Sequence, residues 1–239
     1  MWNWPDLSVR ADLPELMDDR SIDGPELVET LAQLRLINRL LGAAWPTLWG
    51  VAYLWKQAGS PKHLSILDMG AGSGDVNRRL LRWAARRNLN LRLILVDIHP
   101  DTCAVAQAYY QNEPRVRVIQ GNVFEPAVRH VDIVTASLFL HHFPTLIVPL
   151  VLQRMVQTAR MGVIINDLHR HWLAWAFIRA ATHIFSGNRL IRHDAPLSVR
   201  RGFRRAELDQ LKKMPGLSQL NYSWQPLFRY LIIVPANGA

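Results

Sequence analysis

The chain has 239 residues, 49% of them hydrophobic, and a formal net charge of +9. That length suits one large domain or a domain with an appended cap, and the apolar content excludes global disorder. A lone cysteine, Cys103, excludes an internal disulfide framework and a cysteine-based zinc site, and a buried structural thiol is expected there.

The N-terminal stretch MWNWPDLSVRADLPELMDD is acidic and lacks the basic start and apolar core of a signal peptide, so a cytoplasmic location is expected. Leu27, Leu31, Leu34, Ile37 and Leu41 recur at helical spacing, which predicts a helix over 24–41 with Asp23 as N-cap and Pro25 in its first turn. A second, Trp-rich helix runs to about Lys56. The uncharged run 40–55 is interrupted by Pro46 and is shorter than the ~18–20 residues a membrane span needs. AGSPKH (58–63) is a break, so residues 1–60 are read as an N-terminal helical cap.

From residue 64 the pattern alternates. Strands are expected at LSILDM, 91–98, 116–122, 131–140 and 162–168, with helices at 75–88, 100–112 and 144–160 between them. Such alternation predicts βαβ units and a parallel sheet covered on both faces. Residues 170–202 then insert a Trp-rich helical piece and a basic loop, SGNRLIRHDAPLSVRR, read as a lid. A helix at 204–214 and strands at 218–224 and 228–236 close the chain, so 61–239 is taken as one domain carrying that lid. The segment 170–205 holds eight arginines (170, 179, 189, 192, 200, 201, 204, 205) against one acid, Asp194. Such a cluster meets nucleic acid, an anionic membrane surface or an acidic substrate, or is simply a solvated face.

The stretch ILDMGAGSGD (66–75) sets three glycines directly after the first strand. Ligands of open parallel sheets settle at the strands' carboxyl ends, where glycines allow close approach and the next helix offers its N-terminal amides. A dinucleotide fingerprint does not fit either glycine register, because position 75 is Asp and position 77 is Asn. The pattern is D-x-G-x-G-x-G. Its leading Asp68 suits a positive amino group and would repel pyrophosphate. Asp97 closes the second strand, where a carboxylate can accept both hydroxyls of a ribose.

These motifs resemble the class I S-adenosylmethionine-dependent methyltransferases over about residues 60–170. ILDMGAGSGD matches the family's first motif and LVDIHP its second. GNVFE is similar to the adenine-contacting motif, with Asn122 where Asp is usual; Asn still accepts a hydrogen bond through its carbonyl oxygen. DIVTASLFLHHF resembles the fourth motif of the branch that methylates small molecules. The resemblance implies an α/β fold, a doubly wound, seven-stranded, mostly parallel, Rossmann-like sheet with one antiparallel strand. It also implies S-adenosyl-L-methionine as cofactor and S-adenosyl-L-homocysteine as product. The cofactor contacts it implies are Asp68, Gly70, Ala71, Gly72, Gly74, Asp97, Ile98, Asn122, Val123 and Ser137.

Removing a proton from a hydroxyl acceptor calls for a base, and a neutral histidine serves near pH 7. His141 and His142 end the fourth strand and Asp167 the fifth, neighbours in the family's sheet, so the resemblance implies a His–Asp pair in which Asp167 orients the imidazole. His141 is placed slightly ahead of His142. His169, Arg192 and His193 are assigned to acceptor binding, and the Trp residues at 45, 49, 55, 172 and 175 are candidates for an apolar pocket lining. No spacing points to a metal, and none is expected.

The reading is O-methylation of a small, partly apolar acceptor: phenolic, polyketide or quinone-like. An RNA or protein methyltransferase using the basic segment is the alternative, without a nucleic-acid module to support it, and a non-catalytic cofactor-binding protein is a third. The basic segment is also a candidate for peripheral membrane contact. Oligomeric state is open.

Overall fold

The computed structural model describes residues 4–236 other than Arg20, Pro126, Ala127 and Arg129. Among them β1 (His63–Met69), β2 (Asn90–Asp97), β3 (Val116–Gln120), β4 (Val131–Ser137), β5 (Ala159–Leu168), β6 (Asn221–Gln225) and β7 (Arg229–Pro235) form one seven-stranded sheet. Its order is β3-β2-β1-β4-β5-β7-β6, with β7 antiparallel to both neighbours and the other described pairings through β5 parallel. The seven-stranded, mostly parallel α/β fold is the expected one.

Side chains alternate along each strand between two cores, as period two requires. Ile66, Leu93, Leu95, Ile133, Ile164 and Leu231 face one layer; Leu67, Val96, Val134, Val163, Ile165 and Ile232 face the other. The first layer holds α2 (Ala44–Gln57) and α3 (Asn77–Ala85), which contribute Val51, Leu54, Leu80 and Leu81. The second holds α5 (Val148–Thr158) and α8 (Arg205–Leu211), with Leu152, Met155 and Leu208. Each such side chain contributes roughly 1.5–3 kcal/mol by leaving water. Cys103, on α4 (Pro100–Tyr109), is buried and free, its thiol pushed up to about 11 by burial.

Within the expected N-terminal cap, α2 packs against the sheet itself. A Cβ on Gly50 would lie 2.7 Å from Ile164 Cγ2, so only glycine lets the helix come this close. The helix α1 (Gly24–Leu40) and the segment before it lie over the carboxyl edge instead and line its cleft.

The basic stretch expected to be a loop is helical. After α6 (Trp172–Phe185) comes α7 (Arg189–Arg201), which keeps Pro196 inside it. Asn188 caps α7, its side chain accepting from the amides of Leu190 and Ile191. Leu190, Ile191, Leu197 and Val199 are buried. Capping and burial outweigh the backbone bond that proline removes, a cost on the order of 3 kcal/mol.

Candidate active site

The chain runs from β1 outward through β2 to β3, then returns to β4 on the other side of β1, so the carboxyl ends of β1 and β4 flank the switch point. A cavity of about 920 Å³ opens there. It is lined by the glycine bend, the ends of β2 and β4, α1, the N-terminal segment, α6 and α7.

The bend at 70–74 has two sides. Gly70 (φ +63) has no room for a side chain, since a Cβ would fall 1.9 Å from the Phe139 ring. Gly72 (φ +55) meets nothing within 4 Å, and its amide donates to Asp97 Oδ2 at 2.9 Å. Gly74 packs on Leu95 and Tyr110, and the Tyr110 hydroxyl donates to the Gly74 carbonyl. Gly70, Ala71, Gly72, Asp97, Ile98, Asn122, Val123 and Ser137 all line the cavity.

Some of these groups are already engaged. Asp68 lines the cavity, but it is buried and accepts from Asn77 Nδ2 at 2.6 Å and Thr135 Oγ1 at 2.7 Å. Burial pushes its carboxyl up to about 6 against the pull of those two donors. Asp68 therefore braces the bend from beneath. Asn122 Oδ1 accepts from the Phe124 amide, which leaves one lone pair for a ligand. Ser137 shares a 2.7 Å hydrogen bond with Thr47. His99 adds a donor that sequence reasoning missed: its Nδ1 accepts from the Asp101 amide, and its buried Nε2 has no partner.

At the other end, His141 Nδ1 lies 2.6 Å from Asp167 Oδ1. Asp167 also accepts from the amides of Leu140, His141 and Leu168, so it can only accept, and Nδ1 carries the proton. Burial raises the Asp167 carboxyl, yet His141 and the Leu168 amide outweigh it and hold it below the usual carboxylate range. His141 Nε2 faces Glu15 Oε1 at 3.6 Å. Glu15 is buried and that oxygen has no hydrogen-bond partner.

His142 differs from its neighbour. Its Nδ1 contacts Asp18 Oδ1 at 2.7 Å. Burial lowers its affinity for a proton, but Glu15 and Asp18 overcome that and push it up to about 9. It is therefore a cation at neutral pH and a poor base. One oxygen or nitrogen from each of Glu15, His141 and His142 lies within 4.8 Å of the others, a spacing that a metal ion could also span.

Glu15 and Asp18 reach the site because a basic scaffold holds the N-terminal segment down. Arg201 donates to the carbonyls of His141, His142 and Leu13, and Arg10 donates to the His141 carbonyl. Asp194 accepts from the amides of Leu16 and Met17. In the sequence this acidic stretch served only to argue against a signal peptide. Its Glu15-x-x-Asp18 spacing carried no signal without the partner it folds onto.

Three assigned acceptor-binding residues lie away from the cavity. His169 sits in a separate depression with Arg170 and Tyr230, accepts from Trp224 Nε1, and is pulled down to about 4 by burial and then by His171. Arg192 donates to the carbonyls of Ser186 and His183, and His193 turns outward against Asp194. The phase of α7 is the reason: Ile191, Asp194, Ala195, Ser198 and Val199 face the cavity, and positions 192 and 193 do not. The five tryptophans do not line it either; the aromatic wall is Phe124, Phe139, Phe143, Phe177 and Phe228.

Residues 66–162 match a family described as Methyltransferase domain. No curated protein matches the sequence. Among solved structures, the fold is similar to a putative O-methyltransferase from Nostoc punctiforme, at 18% identity and TM-score 0.57, over 86% of this chain and 60% of that one. It is also similar to human N-acetylserotonin methyltransferase in complex with SAM, at 12% identity and TM-score 0.59, over 92% and 57%. Magnesium protoporphyrin IX methyltransferase from Synechocystis with bound SAH aligns over 97% of this chain and 91% of its own, at 12% identity and TM-score 0.53. The chain thus spans less than two thirds of the first two. None of its described helices is long and apolar enough to cross a membrane.

Proposed function

On the premise that residues 66–162 are a methyltransferase domain of the class I fold, we propose that the protein O-methylates a small, partly apolar hydroxylated acceptor, with His141 as general base. S-adenosyl-L-methionine, when bound, supplies an electrophilic methyl group. The residues present suit it: Gly72 leaves space beside the backbone, Asp97 and Ile98 stand at the tip of β2, and His99 Nε2 is a buried donor without a partner.

The observation that carries the reading is the 2.6 Å contact from His141 Nδ1 to Asp167, on the wall of the same cavity. With Nδ1–H fixed by Asp167, Nε2 accepts the acceptor's hydroxyl proton. The imidazolium then lies between Asp167 and Glu15, two carboxylates that stabilise it. The N-terminal segment, α6 and α7 hold the acceptor and keep water out, and positioning supplies much of the rate of an in-line transfer. A metal has no part in this reading, whose proton transfer uses only His141, Asp167 and Glu15. Activity should survive chelation.

The basic segment supports a small acceptor over RNA or protein. Arg170 is buried against the Leu7 and Gly202 carbonyls and Glu207, Arg201 holds the N-terminal segment, and Arg189 pairs with Glu26. These cations hold the fold together and leave fewer free for a polyanion. The test is calorimetric titration with S-adenosylmethionine and S-adenosylhomocysteine, for wild type and Asp97→Ala, followed by methyl-transfer assays on hydroxylated acceptors with His141→Ala. Micromolar binding that Asp97→Ala weakens, with turnover abolished by His141→Ala, is expected. Absence of cofactor binding, or unchanged kcat in His141→Ala, refutes the reading.

A further inference from the structure

Arg229 is the buried charge that the proposed chemistry leaves unused. It opens β7 and stands in register with Leu168 of β5, so the two side chains share one face of the sheet, and both line the cavity. It is only 4% exposed, and its Nε and Nη1 have no hydrogen-bond partner. Among the described residues no carboxylate comes within the 4.0 Å of an ion pair with it. Burial drags its guanidinium down to about 10 while Asp167, farther off, pulls it back. Arg170 and Arg201, equally buried, each hold several carbonyl or carboxylate oxygens.

A guanidinium carries five donors and cannot escape its charge by losing a proton. Left unpaired in an apolar wall it is strongly unfavourable, which a fold tolerates where something else completes the pairing. The hairpin that presents it is strained as well. Leu227 and Phe228, both cavity-lining, hold φ of +61 and +56, values that bulky side chains rarely adopt. The sheet order sets Arg229 beyond β5, on the side of His141 and Asp167 away from the glycine bend, where an acceptor would lie.

We infer that Arg229 is an oxyanion receptor: besides the hydroxyl that His141 deprotonates, the acceptor carries a negatively charged oxygen, a carboxylate or an ionised phenol or enol, which the guanidinium binds. Leu168, Phe177, Ile178 and Phe228 enclose its apolar part. The inference rests on the proposed methyltransferase reading only in naming this ligand the acceptor. Guanidinium and oxyanion pair in a bidentate fork, so Lys replaces Arg only in part.

The protein saturated with S-adenosylhomocysteine is titrated with decanoate against methyl decanoate, and at pH 8.5 with 4-nitrophenolate against 4-nitroanisole. At least one anion is expected to bind about 10-fold or more tightly than its neutral methyl derivative. Arg229→Met abolishes that preference and leaves S-adenosylhomocysteine affinity unchanged, and Arg229→Lys keeps part of it. Preference for decanoate identifies that second group as a carboxylate, and preference for the phenolate as an ionised phenol or enol. No preference in the wild type, or a preference that survives in Arg229→Met, overturns the inference. Loss of S-adenosylhomocysteine binding in the wild type fails the cofactor reading instead, and the same anion comparison without cofactor still tests Arg229.

Discussion

Asp167→Asn changes one atom and tests the mechanism at its hinge. Asp167 Oδ2 accepts from the amides of Leu140 and His141, and Oδ1 from His141 Nδ1 and the Leu168 amide. An asparagine satisfies the first two donors only by placing its oxygen at the Oδ2 position. Its amide nitrogen then faces His141 Nδ1, which must turn from donor to acceptor. The proton moves to Nε2, and the atom that should take the acceptor's proton no longer can. The lost charge adds to this. With imidazolium and carboxylate centres roughly 4 Å apart at an effective dielectric of ~20, the attraction is about 4 kcal/mol, or about 10³ in rate. The assay is transfer of a labelled methyl group at pH 7, with S-adenosylhomocysteine affinity measured in parallel. A kcat lowered about 10³-fold with unchanged cofactor affinity is expected. A kcat within about threefold of wild type would refute the tautomer argument.

Glu15→Gln removes the second carboxylate flanking His141 Nε2. It should lower kcat about 10- to 100-fold while cofactor affinity holds, since a unit charge near 4 Å contributes a few kcal/mol at most; unchanged turnover would reduce Glu15 to a wall residue. Gly70→Ala and Gly72→Ala should behave differently although both glycines have positive φ. The first meets Phe139 and should lower the melting temperature by several degrees. The second should cost about 1 kcal/mol of stability but weaken S-adenosylhomocysteine binding, and equal losses in both would argue against a ligand beside Gly72. Stability should also depend on pH through His142, whose folded value near 9 lies above its ordinary 6.5. The stabilisation of the His142 cation by Glu15 and then Asp18 is fully present below pH 6.5 and is lost as the pH rises through about 9, up to about 3 kcal/mol. Denaturant midpoints from pH 6 to 10 should show that decline in wild type and a flatter profile in His142→Gln.

The local half of this site was legible in the sequence. Glycine spacing after a strand, an acid at the end of the next, and histidines expected to end the fourth, which the structure sets in a short 3-10 turn (Leu140–His142) just beyond it, are short-range patterns. They place Gly72, Asp97 and His141 on one sheet edge wherever a parallel sheet forms. Alternation of strand and helix foretold that sheet. What only tertiary structure decided lies in contacts between distant segments. Glu15 meets His141 because Arg201 and Asp194 hold the N-terminal segment across the cleft. Asp68 lines the cavity and is at the same time held by Asn77 and Thr135, one donor to each oxygen. Pro196 is carried inside a helix by burial, and the phase of that helix then turns Arg192 and His193 from the cavity. Arg229, read as part of an ordinary strand, draws attention only once its surroundings prove to lack a partner. Periodicity records which way a residue faces its own element; whether its charge is answered depends on what the rest of the chain brings to it.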